Sequence, residues 1–181
     1  MNQDNSIQTA VFGGGCFWCT ETLFERLKGV ISVKSGYAGG EGPHPTYEQV
    51  SSGQSGHAEV IEIKYNPAEV SYETLLDVFF ATHDPTTLNR QGMDFGSQYR
   101  SIVLYASPEQ KQTAENYIQK LTADKVFEKP IVTEIKPLDK FYEAEAYHQQ
   151  YYRNNPNKPY CMVVISPKVA KLRKKFAHLL K

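Results

Sequence analysis

Residues 7–37 read IQTAVFGGGCFWCTETLFERLKGVISVKSGY, and the changes of period inside this stretch decide the fold. IQTAVF alternates loosely and runs into Gly13-Gly14-Gly15, as a strand entering a tight turn does. From Cys16 the spacing becomes helical. Phe17, Leu23, Phe24 and Leu27 fall near one face, and Gly29 sits where a helix would stop. VISVKSGY, residues 30–37, then reads as a second strand.

Outward from this unit the pattern continues as a mixture. HAEVIEIKY (57–65) predicts a strand, and residues 71–83 predict an amphipathic helix with Leu75, Leu76, Phe79 and Phe80 on one side. SIVLYA and IVTEIK (131–136) read as strands, and residues 108–124 as a surface helix. FYEAEAYHQQYYRNNP reads as helical, CMVVI as a strand, and the basic tail from about residue 167 as a closing helix. Two polar stretches, AGGEGPHPTYEQVSSGQSG and DPTTLNRQGMDFGSQYR, exceed ordinary loop length and are expected to carry function. Without repeat or linker, residues 1–181 are expected to form one α+β domain with helices packed on a sheet.

The composition narrows the function. Lys plus Arg and Asp plus Glu cancel at 20 each, so no basic face argues for nucleic acid. No stretch approaches the roughly 18 apolar residues of a membrane helix. The opening MNQDNSIQTA is polar and unlike a signal peptide, so a reducing cytoplasm is expected, where thiols serve chemistry or metal. Zinc would need four ligands, and Cys161 with scattered histidines does not complete a set around Cys16 and Cys19. No flavin or nicotinamide motif occurs, so no cofactor is expected and electrons are expected to enter through thiols.

Cys16 falls on the first turn of the predicted helix, where free backbone N–H groups and the helix dipole favour an anion. A thiol so placed is expected to have its pKa lowered from about 8.5 into the range of roughly 3.5–7.5. The glycines before it allow a sharp turn that leaves the sulfur uncovered. Against this stands the plain alternative of a buried, inert cysteine among core aromatics. Cys16 and Cys19 also form a C-x-x-C pair, a moderate signal for dithiol chemistry.

GGGCFWCTE, SGYAGG, PTYEQVSSGQSGHAEVIEIKYNP, HDPTTLNRQGMDFGSQYRS and HQQYYRNNPNKPYC, in that order, resemble the A-type peptide methionine sulfoxide reductase family from about Thr9 to Lys168. The resemblance implies a two-layer, ferredoxin-like sandwich around a mixed sheet. It implies reduction of the S epimer of methionine sulfoxide, free or in proteins, with recycling by thioredoxin or a similar dithiol; the protein is expected to be a monomer.

It also implies a role for each matching residue. Cys16 is the nucleophile that attacks the sulfoxide sulfur and becomes a sulfenic acid. Glu59 is the acid that protonates the sulfoxide oxygen, a role that burial suits by raising its pKa. Tyr47 and Tyr99 supply uncharged hydrogen bonds to that oxygen, and Asp94 supports the site. Phe17 and Trp18 receive the S-methyl group, where ring faces offer dispersion and sulfur contact. Cys161 is the recycling thiol, carried by the Asn154-Asn155-Pro156-Asn157 segment, which reads as flexible. His57 stays outside the catalytic set.

The chain departs from the family pattern at two places: Cys19 stands where many members have glycine, and the tail VVISPKVAKLRKKFAHLLK lacks a further cysteine. Cys19 is therefore an alternative resolver, and a relay through both thiols stays open. The tail's alternation of Lys168, Lys171, Arg173, Lys174 and Lys175 with apolar positions reads as a solvated helix packed on the domain. A general thiol–disulfide oxidoreductase and a non-catalytic sensor of oxidised methionine are the competing functions. Each leaves at least one of Cys16, Glu59, Tyr47, Tyr99 and Cys161 without a role.

Overall fold

The computed structural model describes residues 6–181, so residues 1–5 of the polar opening lie outside it. In chain order the elements are β1 (Gln8–Gly13), α1 (Phe17–Phe24), β2 (Val30–Ala38), α2 (Tyr47–Ser51), β3 (Ala58–Tyr65), α3 (Tyr72–Thr82), β4 (Arg90–Gln91), β5 (Asp94–Phe95), β6 (Ile102–Tyr105), α4 (Pro108–Ala123), β7 (Glu134–Pro137), β8 (Tyr142–Glu143), α5 (Tyr151–Asn154) and α6 (Ser166–Lys175). The core follows the ferredoxin-like order β1-α1-β2-β3-α3-β6, with strands lying side by side as β6-β1-β3-β2. β7 extends one edge parallel to β6 and β8 extends the other antiparallel to β2, giving a mixed sheet of six.

The period of two assigns the side chains. Ala10, Phe12, Ile61, Ile63 and Tyr65 point to the face covered by α1, α3 and α6, while Val11, Val60, Ile102 and Leu104 pack with Leu138 and Phe141 on the other. Phe12 stacks on Phe79 of α3 at 4.9 Å between ring centroids. Ser71 caps α3 by accepting from the Thr74 N–H at 3.0 Å, and Ser107 caps α4 ahead of Pro108. The first long polar stretch contains α2, capped reciprocally by Thr46 and Gln49. The second holds the β4–β5 hairpin and a single 3-10 turn, Ser97–Tyr99.

Two expectations are corrected. FYEAEAYHQQYYRNNP is not one helix. It lies against the β2 edge as β8, turns through Ala146–His148, and passes Gln150 at φ +52° before the short α5. Tertiary hydrogen bonds outweigh its local propensity. The Gln149 side chain accepts from Ser35 N–H at 3.0 Å and donates to the carbonyls of Ser35 at 2.8 Å and Ala144 at 3.0 Å. Gln150 N–H donates to the buried Glu21 carboxyl at 2.9 Å.

CMVVI is not a strand either. Cys161–Ile165 forms a wide π-type turn that leads directly into α6. Its β-branched run suggests a strand, but the buried positions Cys161, Ile165, Val169, Leu172 and Phe176 follow helical spacing and face the core.

Candidate active site

β1 delivers the glycine turn to the open end of the sheet. Gly13 has no room for a side chain, since a Cβ there would stand 2.9 Å from the Glu59 carbonyl oxygen. Gly15 turns the chain at φ +96°, a region that favours glycine. Cys16 then caps α1, its carbonyl accepting from the Cys19 N–H at 3.0 Å.

The helix start finds its hydrogen-bond acceptor in a side chain of the neighbouring strand. Glu59 lies opposite Tyr37 near the beginning of β3, and its Oε1 accepts from the Phe17 N–H at 3.1 Å. Two protein layers thus aim at one point: the first turn of α1 and the carboxyl beneath it.

This arrangement overturns the expectation of a lowered Cys16 pKa. The thiol is buried, and burial is the main cause that pushes it well above its ordinary value; the Cys19 thiol and the Glu59 carboxyl add to it. The helix terminus that was expected to stabilise a thiolate is already occupied by Glu59. Burial likewise raises Glu59 to about 8, against the lowering effect of the Phe17 N–H. At neutral pH the resting pair is therefore a thiol beside a carboxylic acid. Cys19 behaves oppositely: hydrogen bonding from Cys16 holds it below the usual thiol value, with Lys168 and Tyr160 helping.

The two expected phenols face this pair. Tyr47 opens α2, its N–H anchored to Glu145 Oε2 at 3.2 Å, and Tyr99 ends the 3-10 turn. Burial raises both hydroxyls, and the fields of Glu59 and Cys16 add to both, so each stays a neutral donor. Arg100 fixes the Tyr99 turn by donating to the carbonyls of Ser97 at 2.9 Å and Gly56 at 2.9 Å. Asp94 accepts from the Tyr160 hydroxyl at 2.6 Å, and that same hydroxyl lies 3.9 Å from Cys19 Sγ. His57 closes the loop below by accepting from Gly40 N–H at 3.1 Å.

Phe17 is buried against Tyr37 and His148, whereas Trp18 is half-buried and stacks on Tyr151 at 3.7 Å. The Trp18 indole N–H donates to His148 Nδ1 at 3.0 Å. That leaves the neutral imidazole proton on Nε2, a buried atom with no hydrogen-bond partner. His148, whose ring centroid is 4.8 Å from that of Tyr47, is the residue that sequence reasoning missed. The run Ala146-Tyr147-His148 leading into HQQYYRNNPNKPYC was the available signal. Cys161 is fully buried, with the Cys19 charge acting on it. All three thiols are free. Among the described residues no group of His, Cys, Asp and Glu is arranged to hold a metal.

A ferredoxin-like sheet that sets a buried thiol against a protonated carboxyl and two neutral phenols defines a thiol-based oxidoreductase. The sequence model described as "Peptide methionine sulfoxide reductase" matches residues 8–180. The chain is 57% identical over 175 residues to peptide methionine sulfoxide reductase MsrA of Acinetobacter baumannii, covering 97% of this chain and 99% of that protein. Among solved structures, reduced Mxr1 from Saccharomyces cerevisiae superposes with a TM-score of 0.79 at 33% identity, over 89% of this chain and 92% of that one. Mxr1 in complex with Trx2 superposes at 0.56 and 25% identity, over 83% and 88%. The chain belongs to the peptide methionine sulfoxide reductase family and is an enzyme that reduces methionine sulfoxide.

Proposed function

We propose that the enzyme reduces the S epimer of methionine sulfoxide, free or in proteins, through a sulfenic acid on Cys16 and an intramolecular disulfide that thioredoxin reopens. The observation that carries this reading is the Glu59 carboxyl, buried beneath the first turn of α1 and bonded to the Phe17 N–H at 3.1 Å, where burial raises its pKa to about 8 and so favours the acid form. The Cys16 sulfur attacks the sulfoxide sulfur, and Glu59 gives its proton to the oxygen. The S–O bond to the substrate breaks, the oxygen passes to Cys16 as a sulfenic hydroxyl, and methionine leaves. The thiol proton of Cys16 replaces the one that Glu59 gave. No net charge is created in the buried site, which is why two raised pKa values serve the reaction.

Tyr47 and Tyr99 hold the oxygen as its negative charge develops. Phe17 and Trp18 take the methyl group, and Asp94 orients the Tyr160 side of the site. With oxygen on the phenols and methyl on the rings, one epimer presents its sulfur to Cys16, and the resemblance to the family makes it S. A second thiol, Cys19 or Cys161, then displaces water to form the disulfide. The complex of Mxr1 with Trx2 supports thioredoxin as the reductant. Three free thiols suit a single-domain monomer in a reducing cytoplasm.

The test is racemic methionine sulfoxide with dithiothreitol, followed by chiral chromatography. Loss of the S epimer alone, abolished in Cys16→Ser, is expected. Retention of both epimers with reduction of an insulin disulfide would instead make the C-x-x-C pair a general oxidoreductase site.

A further inference from the structure

The cycle proposed above needs a thiol to attack the Cys16 sulfenic acid, and two thiols compete for that role. They sit in very different settings. Cys19 is one turn from Cys16, its N–H bonded to the Cys16 carbonyl at 3.0 Å. Residues spaced by three on a helix have Cβ atoms about 5–6 Å apart. A disulfide requires about 3.5–4.5 Å between Cβ atoms, so closure needs a shift of about one ångström. Cys16 can supply that shift because it is the cap, at φ −59° and ψ 126°, outside the helical region.

Cys161 has no such freedom. The expected carrier, Asn154-Asn155-Pro156-Asn157, ends before Lys158, and the cysteine itself lies on the helical run over residues 161–175. Its side chain starts the buried stripe continued by Ile165, Val169 and Leu172. Three ties hold this run in place. Met162 N–H bonds the Lys158 carbonyl at 3.0 Å, Tyr152 Oη meets Ser166 Oγ at 2.8 Å, and Tyr160 donates to Asp94 at 2.6 Å. Cys161 shares the core cluster of Cys16 and Cys19, but its backbone is held in the helical run, whereas that of Cys16 is not.

We propose that Cys19, positioned by Tyr160, is the catalytic residue that resolves the Cys16 sulfenic acid, and that Cys161 is not required for this first disulfide. The Cys19 sulfur attacks the sulfenic sulfur of Cys16, an S–S bond forms and the S–O bond breaks. The departing hydroxide combines with the proton that Cys19 gives up and leaves as water. Cys19 is oxidised and the Cys16 sulfur is reduced by the same electron pair. The C-terminal helix thereby serves the chemistry, because Tyr160 at its start brings its hydroxyl to 3.9 Å from Cys19 Sγ. The charge of Lys168 favours the thiolate that attack requires.

The experiment is a single turnover with free methionine sulfoxide and no reductant, reading methionine released, free thiols and disulfide-linked peptides. In Cys161→Ala the thiol count is expected to fall from two to zero at a rate within about twofold of native, with Cys16 linked to Cys19. In Cys19→Ser one methionine is expected per enzyme, followed by a sulfenic acid that a cyclic diketone traps, with thiol loss slowed about a hundredfold by misplacement of the remaining thiol. Cys161→Ser is a second variant should the alanine fold poorly in the buried stripe. A trapped sulfenic acid in both Cys161 variants, with a Cys16–Cys161 link forming at the native rate in Cys19→Ser, overturns the proposal. Failure of the native enzyme itself to release methionine would instead overturn the sulfenic acid cycle on which this inference rests.

Discussion

The cradle formed by β1, the glycine turn and β3 differs in kind from the segment that wraps it, residues 141–154. In the cradle, strand register and helix capping do the positioning: Phe12 pairs with Ile61, Tyr37 with Glu59, and Glu59 caps α1. In the wrap, side chains do it: Gln149 clasps Ser35, Glu21 receives Gln150, and His148 anchors Trp18. Backbone ladders fix atoms to a few tenths of an ångström and suit groups that exchange protons. Side-chain clasps join surfaces and suit groups that shape a substrate. The cradle should therefore fail in chemistry and the wrap in stability and binding.

Glu59→Gln tests the cradle most severely. The amide can still accept from the Phe17 N–H but has no acidic proton to give, so kcat is expected to fall about 10²–10⁴-fold with little change in melting temperature. The pH dependence sharpens this. The Glu59 carboxyl is raised from 4.5 to about 8, so its acid form dominates below that pH and is lost as pH rises through it. Native kcat should fall along that limb, and the variant should lack it. The same sign applies to folding: the stability tied to this proton is complete below about pH 4.5 and lost as pH rises through about 8. A steady-state pH profile of both enzymes decides. An unchanged limb in the variant would remove Glu59 from the proton path.

Tyr99→Phe and Tyr47→Phe should act on the same step more weakly. Each removes one neutral donor to the developing oxygen charge and leaves the other, so kcat is expected to drop by up to roughly a hundredfold apiece. KM should stay within about threefold if the bond strengthens chiefly in the transition state. A KM rise with kcat intact would instead make the phenols simple binding groups. Tyr99 is the sharper probe, because Arg100 holds its turn independently of its hydroxyl.

The sequence was legible where structure is local and obscure where it is not. The βαββαβ core can be read from periods of two and 3.6, and the C-x-x-C turn from its glycines. The raised Cys16 pKa could not be read, because it depends on a carboxyl 43 positions away occupying the helix terminus that local reasoning leaves open. The segment around Gln149 reads as helix because its bonds to Ser35 and Glu21 span more than a hundred residues. CMVVI was a period misread: β-branched content overshadowed the stripe from Cys161 to Phe176, although that spacing was in the sequence.

Gln149→Ala carries the smallest expected effect and separates the two regions most cleanly. The amide serves three backbone groups; its loss leaves the buried Ser35 N–H without the acceptor now at 3.0 Å, while the Ser35 carbonyl keeps the Ala144 N–H at 2.9 Å. An unsatisfied buried backbone group costs about 1–3 kcal/mol. For a chain of this size each kcal/mol lowers the melting temperature by about 2–4 °C. His148 is adjacent in sequence, so loosening Gln149 also loosens the clasp on Trp18, and KM should rise severalfold. The proposed proton exchange between Cys16 and Glu59 rests on β1 and β3, which Gln149 reaches only through Ser35 of β2, so kcat should stay within about twofold of native. Thermal denaturation together with Michaelis kinetics gives both readings. A large fall in kcat at unchanged melting temperature would mean that the wrap takes part in the chemistry, and the division between cradle and wrap would not stand.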